Sequence, residues 1–85
     1  MYALVTGASS GIGLKYATEL ASTYHCDLVL VSNQEKELQE TAKDLESRFG
    51  IKSVPVYKDL STETAAEELH KFCAEKGIEI DILIN

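Results

Sequence analysis

Residues Thr6-Gly7-Ala8-Ser9-Ser10-Gly11-Ile12-Gly13 stand between a short apolar run, Tyr2 to Val5, and a helical pattern that begins at about Gly11. A chain that leaves a buried strand, reverses through glycine and starts a helix gathers unpaired backbone N–H groups at one point. The positive end of the helix dipole lies there too, so the point attracts an anion. Gly7 permits the sharp turn out of the strand, Gly11 leaves no Cβ between the backbone and a pyrophosphate, and Gly13 lets the helix lie close on the sheet. Ser9 and Ser10 add hydroxyl donors for phosphate oxygens. A Walker A loop would end in Gly-Lys-Ser/Thr, but Leu14 follows Gly13, which argues against a nucleoside triphosphatase.

The rest of the chain repeats strand and helix. Met1 to Thr6 reads as a strand covered on both faces of a parallel sheet. A helix over about 11–24 carries Ile12, Tyr16, Ala17, Leu20, Ala21 and Tyr24 at three- and four-residue spacing, one stripe expected to pack on the sheet. Leu28-Val29-Leu30-Val31 is a second doubly buried strand, within Asp27 to Val31. Ser32-x-x-Glu35 has the spacing of a capping box, and a helix over about 34–49 follows with Leu38, Ala42, Leu45 and Phe49 inward and Gly50 as its stop. Ile51 to Tyr57 is a third strand, and Pro55 places it at a sheet edge because proline cannot donate to the ladder. A helix over about 62–76, with Ala65, Ala66, Leu69, Phe72 and Cys73 inward and Gly77 at its end, leads to a fourth strand, Ile80 to Ile84. The resulting class is α/β: a doubly wound parallel sheet of four strands and three crossover helices, order 3-2-1-4, in one small domain.

Composition narrows the partners. The formal net charge of -6 over 85 residues leaves no basic face for nucleic acid. No stretch approaches the roughly 20 apolar residues of a membrane span, and residues 1–5 lack the features of a secretion signal, so a cytoplasmic protein is expected. Cys26 and Cys73, with His25 and His70, show no metal-ligand or redox spacing; no metal is expected, and both cysteines read as free thiols, Cys26 in a connector and Cys73 at the core.

The Gly-x-x-x-Gly-x-Gly turn preceded by Thr6 resembles the cofactor turn of the short-chain dehydrogenases/reductases, and the likeness continues through Asp59-Leu60 and Asp81-Ile82-Leu83-Ile84-Asn85. It covers the whole chain. The resemblance implies a Rossmann-type fold, with residues 1–85 as the amino-terminal half of a dinucleotide-binding domain. It also implies an NAD(P)-dependent oxidoreductase that moves hydride between nicotinamide and a carbonyl or secondary alcohol. On the matching positions, Gly7, Ser9, Ser10, Gly11, Ile12 and Gly13 would hold the pyrophosphate, Asp59 would bond the adenine amino group, Leu60 would present its backbone to the ring, and Asn85 would hold a strand end near the ribose. Asp59 or Ser61 also fits the start of a helix.

Ser32 and Asn33 fall where a dinucleotide fold carries the adenosine ribose. An acid there would bind the 2′-hydroxyl of NAD and repel the 2′-phosphate of NADP, and neither residue is acidic. That favours NADP(H), with NAD still admissible. The resemblance implies that many NADP-using relatives carry Arg at the position of Asn33, and this chain departs from that. The family's chemistry needs a Tyr with a Lys four residues on, because a Tyr ionising near pH 10 is a poor base without an adjacent cation. None of Tyr2, Tyr16, Tyr24 or Tyr57 has that Lys, so no catalytic residue is assigned within the 85 residues. Two other readings are a nucleotide-binding module or truncated product without activity, and an epimerase or methyltransferase half, whose usual glycine spacing disagrees. The apolar fourth strand also predicts self-association through an exposed edge.

Overall fold

The computed structural model describes residues 1–84 and has the expected alternation: β1 (Tyr2–Thr6), α1 (Gly11–Ser22), β2 (Asp27–Ser32), α2 (Glu35–Phe49), β3 (Ser53–Tyr57), α3 (Ala65–Glu75) and β4 (Ile80–Ile84). The strands form one parallel sheet in the order β3-β2-β1-β4. Pro55 pairs only towards Leu30, and its missing donor faces the free edge of β3. Among the described residues, no helix is long and apolar enough to cross a membrane.

Strand alternation divides the core into two layers. Ala3, Val5, Leu28 and Leu30 pack with Ala17, Leu20 and Ala21 of α1 and Leu38, Ala42 and Leu45 of α2. Leu4, Val29 and Val31 face the other way and meet Leu69 and Cys73 of α3. Cys26 is buried in the first layer rather than serving only as a connector, and both cysteines are free thiols. Burial raises the Cys73 thiol pKa above its ordinary value.

The stripe expected along the first helix is narrower than its spacing suggested. Ala17, Leu20 and Ala21 are buried, whereas Ile12 (73% exposed), Tyr16 and Tyr24 are exposed. Tyr16 lies one residue, roughly 100°, around the helix from Ala17, on the flank of the packed face. Tyr24 falls after the helix, which ends at Ser22. In α3, Ala66 is exposed and the helix begins at Ala65, not near 62. Ahead of the helix, the Asp59 carboxylate accepts the Ser61 N–H at 2.9 Å, holding residues 59–61 in a turn.

β4 contains a register shift. Tyr2 pairs with Ile80 and Ala3 with Ile82, so Asp81 is the additional residue of a β-bulge. Asp81 Oδ2 accepts the Tyr2 N–H at 3.3 Å. The shift sends Ile80 to the α3 layer and Ile82 and Ile84 to the α1–α2 layer, although strict alternation would place all three on one side. Leu83 is 64% exposed on β4, which pairs with β1 among the described residues.

Candidate functional site

The β1–α1 turn is built by backbone conformation. Gly7 (φ 61°) and Gly11 (φ 57°) occupy left-handed geometry that costs a residue with a Cβ about 1 kcal/mol or more. A Cβ added at either would meet no atom within 4 Å, so it is backbone conformation rather than crowding that favours glycine at both. Gly13 differs. Its added Cβ would run into the Gly7 carbonyl and come within 2.9 Å of the Thr6 oxygen. The close approach is therefore between the helix and the strand exit, a tighter contact than the helix-to-sheet packing expected. The Ala8 N–H donates to the Val31 carbonyl at 3.2 Å and fixes the turn to β2.

At the helix start, Ser10 is the extended N-cap residue and its hydroxyl makes no capping bond. The first intrahelical bond runs from Leu14 N–H to the Ser10 carbonyl at 3.3 Å. The N–H groups of Gly11, Ile12 and Gly13 therefore have no backbone acceptor among the described residues. The first turn of α1 carries no acid, whereas α2 begins with Glu35 and Glu37 and α3 with Glu67 and Glu68. The other two dipoles are compensated by the chain's own carboxylates. That of α1 is available to an external anion.

Ser9 and Ser32, expected as separate contacts, are joined. Their hydroxyls lie 2.8 Å apart, both buried, and the Ser9 hydroxyl donates to Gln34 Oε1 at 3.2 Å. The Gln34 N–H donates to Ser32 Oγ at 3.0 Å. The capping box read from Ser32-x-x-Glu35 does not form: α2 has Gln34 as its N-cap residue, and Ser32 accepts two residues along the chain instead. Asn33 is exposed just beyond the end of β2. Gln34 was not singled out from the sequence, and its only local signal was a polar residue between Ser32 and the helix.

Asp59 and Leu60 are one strand further out, on the same carboxyl edge. Tyr57 pairs with Ser32, and the Lys58 N–H donates to the Ser32 carbonyl at 3.0 Å, so residue 59 leaves the sheet directly after that point. The hydrogen bonds from Ser61 hold the Asp59 carboxyl below the usual carboxylate range. Leu60 is exposed. Asn85 lies outside the described residues. The turn, Ser32, Asn33 and Asp59 thus share one edge of the sheet. Neighbouring concavities do not add to them: the cleft between β3 and α3 is lined by Val56, Tyr57, Lys58 and Phe72 among others, and the groove beside Ser9 by Glu37, Glu40 and Asp44. Among the described residues no cluster of three or more His, Cys, Asp or Glu could hold a metal ion.

The fold that carries this turn is shared with known proteins. The chain is 34% identical over 82 residues to an NADP-dependent 3-hydroxy acid dehydrogenase of Schizosaccharomyces pombe, covering 96% of this chain and 32% of that one. It is 37% identical over 84 residues to a very-long-chain 3-oxoacyl-CoA reductase-A of Danio rerio, covering 99% and 25%. L-sorbose reductase from Gluconobacter frateurii, solved with NADPH and L-sorbose, superposes with a TM-score of 0.91 at 33% identity, covering 99% of this chain and 32% of that one. The chain spans about a quarter to a third of the length of these relatives. The profile of the short chain dehydrogenase family matches residues 1–85 from end to end, and the chain belongs to that family.

Proposed function

We propose that residues 1–85 are the cofactor-binding portion of an NADP(H)-dependent oxidoreductase acting on a carbonyl or secondary alcohol. The observation that carries this is the start of α1, where the N–H groups of Gly11, Ile12 and Gly13 have no backbone acceptor among the described residues, in a turn shaped by left-handed Gly7 and Gly11 and with no acid in the first helical turn. The amides of Gly11, Ile12 and Gly13 and the Ser10 hydroxyl would hold the pyrophosphate. Gly7 would shape the turn, and Ser9 and Ser32 would hold it against β2. Asn33 would lie beside the adenosine ribose, Asp59 and Leu60 beside the adenine, and Asn85 near the ribose at the strand end.

The choice of NADP(H) rests on the absence of an acid at positions 32 and 33, and is supported by the NADP named for the yeast relative and the NADPH bound by L-sorbose reductase. The nicotinamide supplies hydride transfer, and this portion contributes binding and orientation. The proton-transferring Tyr and its Lys would come from the remaining two thirds or more of a polypeptide as long as the relatives.

The test is calorimetric titration of the protein with NADPH and NADH, comparing the unaltered chain with Gly11→Asp. Aspartate at that position combines an unfavourable φ with a negative charge at the phosphate site, and should abolish binding of both while the circular dichroism spectrum is retained. Unchanged binding by a folded variant would refute the assignment of the turn.

A further inference from the structure

Residues 59–64 join β3 to α3 and are all exposed, so burial does not fix their path. Hydrogen bonds do. The Ser61 N–H donates to Asp59 Oδ1 at 2.9 Å and the Thr62 hydroxyl to the Asp59 carbonyl at 3.4 Å, which closes the first part of the segment on itself. A further connection reaches across the whole of it. Glu68, in the first turn of α3, uses a different oxygen for each end: Oε2 lies 3.4 Å from the Lys58 ammonium, where β3 has just ended, and Oε1 accepts the Thr64 hydroxyl at 2.9 Å, where α3 is about to begin. Lys58 is itself tied to β2, its N–H donating to the Ser32 carbonyl at 3.0 Å. One carboxylate therefore spans the segment that carries Asp59 and Leu60.

Two features set this contact apart from an ordinary surface ion pair. The Lys58 side chain is only 20% exposed, so its charge is partly shielded from salt. Thr64 is the N-cap residue of α3, yet it makes no capping bond to the helix and gives its proton to Glu68 instead. We propose that Glu68 is a positioning residue for the adenine end of the cofactor site, its carboxylate clasping Lys58 and Thr64 so that Asp59 and Leu60 are held in place before the cofactor arrives. The inference rests on the cofactor reading above, in which Asp59 meets the adenine amino group. Glu68 itself touches no part of the cofactor. A segment that is already ordered loses less conformational freedom on binding, so affinity rises without a new contact.

The test is titration of the protein with NADPH and with its analogue carrying hypoxanthine in place of adenine, which lacks the amino group that Asp59 would accept from. The unaltered protein should prefer NADPH about tenfold. Glu68→Ala opens both ends of the clasp and should cut that preference about threefold, with the analogue's affinity kept within about twofold. Thr64→Val leaves the ion pair and should have a smaller effect in the same direction, whereas Thr64→Ser keeps the hydroxyl and should match the unaltered protein. An unchanged preference in Glu68→Ala, or an equal loss for the two nucleotides, would overturn the proposal and leave Glu68 as a support of α3 alone. Equal binding of both nucleotides by the unaltered protein would remove the role of Asp59 and this proposal with it, and binding of neither would overturn the reading of the site itself.

Discussion

The two faces of the sheet are made from the same strands and yet are packed to different depths. On one side two helices bring Ala17, Leu20, Ala21, Leu38, Ala42 and Leu45 down onto Ala3, Val5, Leu28 and Leu30, and most of these are fully buried. On the other side the 11-residue α3 supplies Leu69 and Cys73, while Val54, Val56, Phe72, Ile78 and Ile80 are only partly buried. Among the described residues, strand composition decides whether a position can be core, and the helices present decide how far it is covered. The anion-receptive turn sits at the well-packed end of this contrast, anchored by buried Ala8 and by Gly13.

The contrast can be tested by truncation. Leu30→Ala, at a fully buried position under α1 and α2, should cost about 3–4 kcal/mol in urea unfolding. Gly13→Ala should cost about 3 kcal/mol through overpacking against the Gly7 carbonyl, and should weaken cofactor binding as well. Leu69→Ala on the α3 face should cost nearer 2 kcal/mol, because the more open side can close around the loss. Equal losses for Leu30→Ala and Leu69→Ala would remove the distinction between the faces. Ser53 is the flaw of the tighter side, since its buried hydroxyl has no partner among the described residues. Ser53→Ala should therefore stabilise the protein by about 1 kcal/mol.

The smallest effect concerns pH at the start of α3. Glu68 accepts from the Thr64 hydroxyl at 2.9 Å and pairs with Lys58 at 3.4 Å, and these contacts, Thr64 first, lower its pKa; Asp59 is lowered by Ser61. A carboxylate whose folded pKa lies below its unfolded value stabilises fully above the unfolded value, and the contribution disappears as pH falls through the folded one. Acidification from pH 6 to 3 should loosen residues 59–68 before the α1–α2 layer, read as earlier loss of amide protection there. Glu68→Gln should reduce that dependence.

The parts legible in the sequence were those with a local code. Apolar runs gave the strands, Pro55 gave the edge, Gly50 gave the end of α2 with φ 68°, and the Thr6–Gly13 spacing gave the turn. What escaped depends on partners distant in the chain. Tyr16 has the spacing of a core residue but is 48% exposed among the described residues. Ser32 has the spacing of a helix cap, but its hydroxyl lies 2.8 Å from that of Ser9, 23 residues away. Gln34 carried no pattern at all, because its meaning lies in a side-chain ring that only the folded turn assembles.

The additional residue at Asp81 makes β4 a shared member of both layers, with Ile80 in one and Ile82 and Ile84 in the other. It therefore works as a stitch. A strand confined to one side could slip without disturbing the opposite core, whereas moving this one by a single position would withdraw isoleucines from both cores at once. The bulge thereby locks the alignment of β4 on β1, and does so with one surplus amino acid.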